Sequence, residues 1–299
     1  MQATAVRPQV ASISSLLEQV VDAGLMRPRR FSYSAQMAGS LAATAAGWAA
    51  LVAVGDSWWC VAVAAGLGVA MTQVAFLGHD AGHGQILRSR RANRLVGLVA
   101  GDLLSGLSFG WWVPKHGAHH ANPNTEGRDP DIGDGVIAFT AAQATERRGF
   151  SRWAARHQAA TFFPLMLLEA VSLHLASVRW LVARPRRWAT PLEAVLLLAH
   201  VAGYVALVAW VLSPARALAF VAVQQGAFGL YLGAAFAPNH TGMPLLDGST
   251  ALGVVERQVL TARDIRGGRL TTFLLGGLDL QIEHHLFPTM PRPNLREAR

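Results

Sequence analysis

The chain has 299 residues, of which 52% are hydrophobic and only 15% charged. Soluble domains carry about 25% charged residues, so the balance points to a membrane protein, and the length allows one or two domains. The formal charge of +8 does not argue for nucleic acid, because the arginines sit beside apolar segments and no basic helix carries interleaved aromatics. Cys60 is the only cysteine, which excludes disulfides and a cysteine-ligated iron–sulfur cluster or zinc ribbon within the chain.

The first 30 residues contain charges and no continuous apolar core with a cleavage site, so no signal peptide is expected. Ile13, Leu16, Leu17, Val20, Val21 and Leu25 predict a short amphipathic helix over 13–26. A bilayer core of about 30 Å takes roughly 20 apolar helical residues. Segments 38–55 and 58–77 qualify and are joined by Gly55-Asp56-Ser57. His79-Asp-Ala-Gly-His83 follows on an extension of the second span, with two imidazoles one turn apart. Asp80 is expected to accept an imidazole N–H rather than to bind metal.

Segment 95–113 is apolar but carries Asp102, Ser105 and Ser108, which are costly at a bilayer centre. Trp111 and Trp112 read as interfacial anchors or as neighbours of an apolar tunnel between the spans and the cap. His116, His119 and His120 then share one helix face. Asp129 and Asp131, in the Pro-bounded loop after them, either orient ligands or fix the turn. Segment 161–182, with Glu169, His174 and Arg179, reads as one amphipathic helix on the membrane surface or against the other helices. Segments 192–212 and 217–237 are the third and fourth spans, joined by Ser213-Pro214-Ala215-Arg216. Asn239-His240 closes the fourth span, and Gln281, His284 and His285 repeat the offsets of the second cluster.

If the clusters build one site, they lie on one side of the membrane. Two helical crossings do not fit between His83 and His116, so 95–113 is interfacial or re-entrant, and 161–182 does not cross. Of 26 Lys and Arg, only Arg216 lies in or beside a short hairpin loop. The positive-inside rule then puts both termini and all clusters in the cytoplasm. The expected architecture is an all-α, multi-pass protein of the cytoplasmic membrane. A single domain, 1–299, has four transmembrane helices in two hairpins, interfacial helices, and a cytoplasmic helical cap of 78–191 and 238–299.

Imidazole suits Zn, Cu, Fe and Ni, and this many histidines suit two ions. The expected ligands are His79, His83, His116, His119, His120, His240, His284 and His285. Gln281, Asn239, Asp80 and Glu283 are candidate weak ligands or hydrogen-bond partners of ligands. His157 is expected to be solvated, His174 to be structural, and His200 to make a buried hydrogen bond. Gln73, Gln224 and Gln225 are expected to face the bundle interior.

At these residues the chain resembles the membrane-bound fatty acid desaturases, whose pattern is HxxxH, HxxHH and [HQ]xxHH. The stretches 78–85, 115–124 with Asp129-Pro-Asp131, 237–244 and 281–292 look like bacterial members that act on fatty acyl chains. The resemblance runs from about residue 30 to the end. It implies four spans, a cytoplasmic cap and a di-iron centre of two non-haem iron ions, with no catalytic side chain beyond the metal ligands. It also implies O2 as co-substrate and loss of two hydrogens from an acyl chain linked to CoA, carrier protein or lipid. Gln281 stands where acyl-CoA members of animals have His. Relatives continue beyond the third box, so a short further segment is expected after Arg299. No electron-carrier motif is visible, so a ferredoxin or flavin reductase is the expected donor, docking on the basic face that also suits membrane lipid. The rivals are an acyl or alkane hydroxylase using the same centre, and a membrane metal-binding or transport protein.

Overall fold

The computed structural model describes residues 12–133, 135–183 and 191–299. The expected absence of a leader concerns, at 1–11, residues outside that range, as do 134 and 184–190 of the expected cap. The described residues are helical, with no strand and one isolated bridge between Thr125 and Leu246. Four helices are long and apolar enough to cross a membrane: α2 (Arg30–Val54), α3 (Cys60–Gly82), α10 (Pro191–Val211) and α11 (Pro214–His240). Ahead of them lies α1 (Ile13–Asp22), capped by the Ser12 hydroxyl. Its Val20 packs with Leu25, Leu280, Phe287, Met290 and Leu295, so the amphipathic face covers the C-terminal segment.

α3 is the central helix, packed along α11 on one side and α2 on the other. Small residues permit the close approach: a Cβ on Gly68 would lie 2.8 Å from the Gln224 carbonyl and 2.9 Å from the Phe228 nitrogen. At the end away from the histidines, Asp56 Oδ1 accepts from Ser213 N (2.8 Å), and its Oδ2 pairs with Arg216 at 2.6 Å. The one basic residue of that side is therefore partnered. Both α3 and α11 outrun the apolar windows at 58–77 and 217–237, and the extra turns carry His79 and His240.

Between α3 and the second histidine cluster the chain forms α4 (Arg90–Leu98), a π-helical turn at 99–105, and α5 (Phe109–Ala121). α5 is bent by 112° from the helix before it. Gly106 makes the break with φ +69°, a left-handed conformation that favours glycine. A break at membrane depth exposes backbone groups that need partners. His174 Nδ1 meets the Gly106 carbonyl (2.8 Å) and His200 Nδ1 the Leu103 carbonyl (2.9 Å). Ser177 Oγ accepts from Ser108 N (2.9 Å). The Glu193 carboxylate accepts from Gly110 N (3.1 Å) and from the Ser108 hydroxyl.

The short helices α6 (Ala141–Glu146) and α7 (Gly149–Arg156) follow. The single helix expected over 161–182 is instead two, α8 (Gln158–Met166) and α9 (Glu169–Ala183), bent by 70°. They pack on α11, the alternative to the membrane surface, and His174 and Ser177 of α9 meet the turn before α5. After α11 come α12 (Val254–Thr261), α13 (Arg269–Leu274), α14 (Gln281–Leu286) and α15 (Leu295–Ala298). Gln73 bonds Tyr231 (2.7 Å), and Gln224 is fully buried with Tyr204 on its amide oxygen (3.2 Å).

A Cβ on Gly106 would sit 2.6 Å from the His200 ring and 2.9 Å from His174, whereas one on Gly39 of α2 meets nothing within 4 Å. Gly106→Ala is therefore expected to cost about 1–3 kcal/mol. Gly39→Ala should be neutral or slightly stabilising. Thermal unfolding in detergent checks the pair.

Candidate metal centre

Four elements end at one level and deliver the clusters. The last turn of α3 carries His79, with His83 as its cap; α5 carries His116, His119 and His120; α11 ends at His240; α14 presents Gln281, His284 and His285. The ligand atoms fall into two sets, each within 4.8 Å: His79, His83, His116 and His284, and His119, His240 and His285. His120 lies between them. Its Nε2 is 3.0 Å from His116 Nε2, and its ring stacks on His285 at 4.0 Å.

In the second set every ring has its Nδ1 against an acceptor. His119 faces Asp129 at 3.0 and 3.1 Å, His240 the Thr261 carbonyl at 2.8 Å, and His285 Gln258 Oε1 at 2.8 Å. An acceptor there assigns the proton to Nδ1 and leaves a lone pair on Nε2. Yet His240 Nε2 lies 3.3 Å from His119 Nε2 and 3.2 Å from His285 Nε2. Three lone pairs aimed at one point repel each other unless a cation occupies it. In the first set, His79 Nδ1 is 3.1 Å from Asp80 Oδ1, and the Nε2 atoms of His79, His83 and His284 are buried without a hydrogen-bond partner. Buried polar atoms are ordinarily satisfied. These orphaned nitrogens fit a metal that takes imidazole.

Burial, and after it the neighbouring histidines, hold His83, His116, His120, His284 and His285 well below the usual imidazole range. The rings are thus neutral, as ligands need to be. Asp129 also accepts from Asn124 N (2.7 Å) and Asp131 N (2.9 Å), so it both orients His119 and closes its turn. Asp131 pairs with Lys115.

The four other candidates differ from one another. Asp80 lies on His79, as expected of an orienting acceptor. Gln281 Nε2 is 3.0 Å from His240 Nε2, while its Oε1 accepts from Asn239 Nδ2 at 3.2 Å. Glu283 faces Asp264 and no imidazole, because it projects from the other side of α14; burial, with Asp264 beside it, pushes its carboxyl up to about 7. His157, His174 and His200 lie outside both sets.

Trp112 stacks on His116 at 4.4 Å and lies 5.4 Å from His79, so of its two readings it takes the one beside the site and forms a wall of it. Two contributors escaped the sequence reading. Gln258 and Thr261 share the inner face of α12, and nothing local marks them. A cavity of about 990 Å³ adjoins the sets, between α3, α5, α8, α9 and α11, and is lined in part by His79, His116, His119 and His240. That is the upper end of ligand-pocket sizes.

The Fatty acid desaturase family model matches residues 56–299. The chain is 33% identical over 241 residues to an acyl-lipid (9-3)-desaturase of Physcomitrium patens, covering 75% of this chain and 44% of the relative. It is 28% identical over 255 residues to a Delta(8)-fatty-acid desaturase of Helianthus annuus (81% and 56%), and 31% identical over 246 residues to a Delta(5) fatty acid desaturase of Caenorhabditis elegans (77% and 54%). The chain thus spans about half the length of these curated relatives.

Two outcomes follow from the geometry. Metal-free protein titrated with Co2+ should take up two ions per chain, and His285→Ala should reduce this toward one. The depressed imidazoles also set a pH dependence. As pH falls below about 6.5 the unfolded chain takes up protons first. Stability of the metal-free protein is therefore full above that pH and is lost below it. A melting temperature unchanged between about pH 7.5 and about pH 5 would contradict this.

Proposed function

The chain belongs to the fatty acid desaturase family, and on that premise we propose that it introduces a double bond into a fatty acyl chain. O2 is the oxidant, and two electrons come from a separate protein, a ferredoxin or flavin reductase. The ligands are His79, His83, His116 and His284 on one side and His119, His240 and His285 on the other, with His120 between and Gln281 alongside. Two non-haem iron ions held there would supply the reduction of O2 and the oxidising power to break two unactivated C–H bonds.

The reading rests on one observation: a long, mainly apolar cavity runs up against the histidine sets. Leu173 and Leu232, with Phe162, offer an acyl chain only dispersion contacts, and its shape fixes which carbons reach the centre. Trp112 closes the wall beside His79 and His116 and keeps water from the reacting carbons. Asp80, Asp129, Gln258 and the Thr261 carbonyl hold four imidazoles in one tautomer each.

The described residues read as one domain, in which α2–α3 and α10–α11 are two transmembrane hairpins and the described parts of 78–191 and 238–299 are a cytoplasmic cap. Charge supports this orientation, since among the described Lys and Arg only Arg216 lies in or beside a short hairpin loop. The acyl carrier is CoA, a carrier protein or a membrane lipid.

Expression in a host of known fatty acid composition should yield a new monounsaturated or further desaturated product, two mass units lighter than its precursor. A gain of one oxygen would instead identify a hydroxylase. His119→Ala should abolish the product. Leu173→Trp, which fills part of the cavity, should lower it or favour shorter chains while bound iron is retained.

A further inference from the structure

One buried charge stands outside the histidine sets. Arg292 is 6% exposed, and its Nη2 lies 3.0 Å from Oδ2 of the equally buried Asp80. Oδ1 of the same carboxylate is 3.1 Å from His79 Nδ1. The guanidinium thus forms a buried ion pair, without hydrogen-bond geometry, with the carboxylate that contacts the His79 imidazole, and it comes from a segment far in sequence from the adjacent His79 and Asp80.

The arginine is itself held firmly. Its backbone N–H lies 3.2 Å from both Tyr33 Oη and Gln85 Oε1. Tyr33 donates to the same Gln85 oxygen (3.0 Å), and Gln85 Nε2 donates to the Pro288 carbonyl (2.8 Å). The aliphatic stem lies over Gly277, at φ +81°, where an added Cβ would come within 2.4 Å of Arg292 Cγ and Cδ. Two residues on, Asn294 Nδ2 donates to the Leu25 carbonyl (2.5 Å). The connection between α1 and α2 therefore ties down the segment that carries Arg292, whose backbone is held by Tyr33 and Gln85 and whose stem packs on Gly277.

A desolvated guanidinium is costly unless its partner is well placed. Among the described residues its ion-pair partner is Asp80, and the Asp80 carboxylate also lies 3.1 Å from His79 Nδ1 and assigns its tautomer. We propose that Arg292 is a positioning residue of the metal centre: it fixes the Asp80 carboxylate, which in turn holds His79 Nδ1–H and aims Nε2 at the first histidine set. The proposal rests on the reading of that set as a metal site. It extends the centre by one step, to a residue that bears no ligand atom.

The test is Co2+ titration of the metal-free full chain in detergent, with equilibrium dialysis and visible absorption reporting each set. Arg292→Gln should weaken uptake at the His79 set by about 10–100-fold and shift its absorption bands, leaving the His119 set as in the parent. Arg292→Lys, which restores charge without the planar fork, should recover part of the loss. Gly277→Ala displaces the arginine without removing it and should produce the same selective loss. If Arg292→Gln does not fold, Gly277→Ala and Arg292→Lys, which keep both charges and the Asp80 carboxylate, are titrated in its place, and a selective loss at the His79 set is again expected. Parent affinity and parent bands at the His79 set in the folded variant would overturn the proposal. So would equal losses at both sets with a lowered melting temperature, which would make Arg292 a general element of the fold. A parent protein that takes up no Co2+ at either set would remove the metal reading, and this proposal with it.

Discussion

Three imidazoles converge with His240 Nε2 3.3 Å from His119 Nε2 and 3.2 Å from His285 Nε2, and much of the surrounding structure serves to keep them there. The rings come from α5, the end of α11 and α14, and each is held from behind by a different acceptor. Such an arrangement is repulsive when empty and attractive around a cation, so the binding free energy of a metal becomes stability of the fold. It also dictates where the helices stop. α3 and α11 pack together along their length and both end in the histidine layer, which places His79 and His240 at one depth.

The second constraint is the broken helix that precedes α5. A continuous apolar helix through 95–113 would carry the second cluster across the membrane and away from the others. The turn at Gly106 brings it back, and its exposed carbonyls and amides are answered by His174, His200, Ser177 and Glu193. His174 and Ser177 of α9 and Glu193 and His200 of α10 thus satisfy a backbone irregularity, and that irregularity aims the three candidate ligands of α5.

Much of the site was legible because metal ligation is periodic. Offsets of three and four residues put imidazoles on one helix face, so the boxes at 79–83, 116–120 and 281–285 were readable, and parity with His240 followed from the spans. Acceptors adjacent in sequence were readable too: Asp80 lies next to the ring it orients. Trp112 was left between two readings because a tryptophan at an apolar segment's end suits a membrane interface as well as an active-site wall. The break of 161–182 into α8 and α9 was hidden because neither half has an amphipathic pattern that sets it apart from the other.

The sequence by itself determined the four apolar helices, the candidate ligands and their division from His157, His174 and His200, since hydropathy and helical spacing are local properties of a chain. Only the tertiary structure decided how the candidate ligands divide into two sets, which nitrogen carries the proton in His79, His119, His240 and His285, and that Gln281 turns toward His240 and Asn239. It alone joined Arg292 to Asp80, and α12 to His240 and His285. These are contacts between segments distant in sequence, set by how helices end and pack, and no periodicity within one segment encodes them.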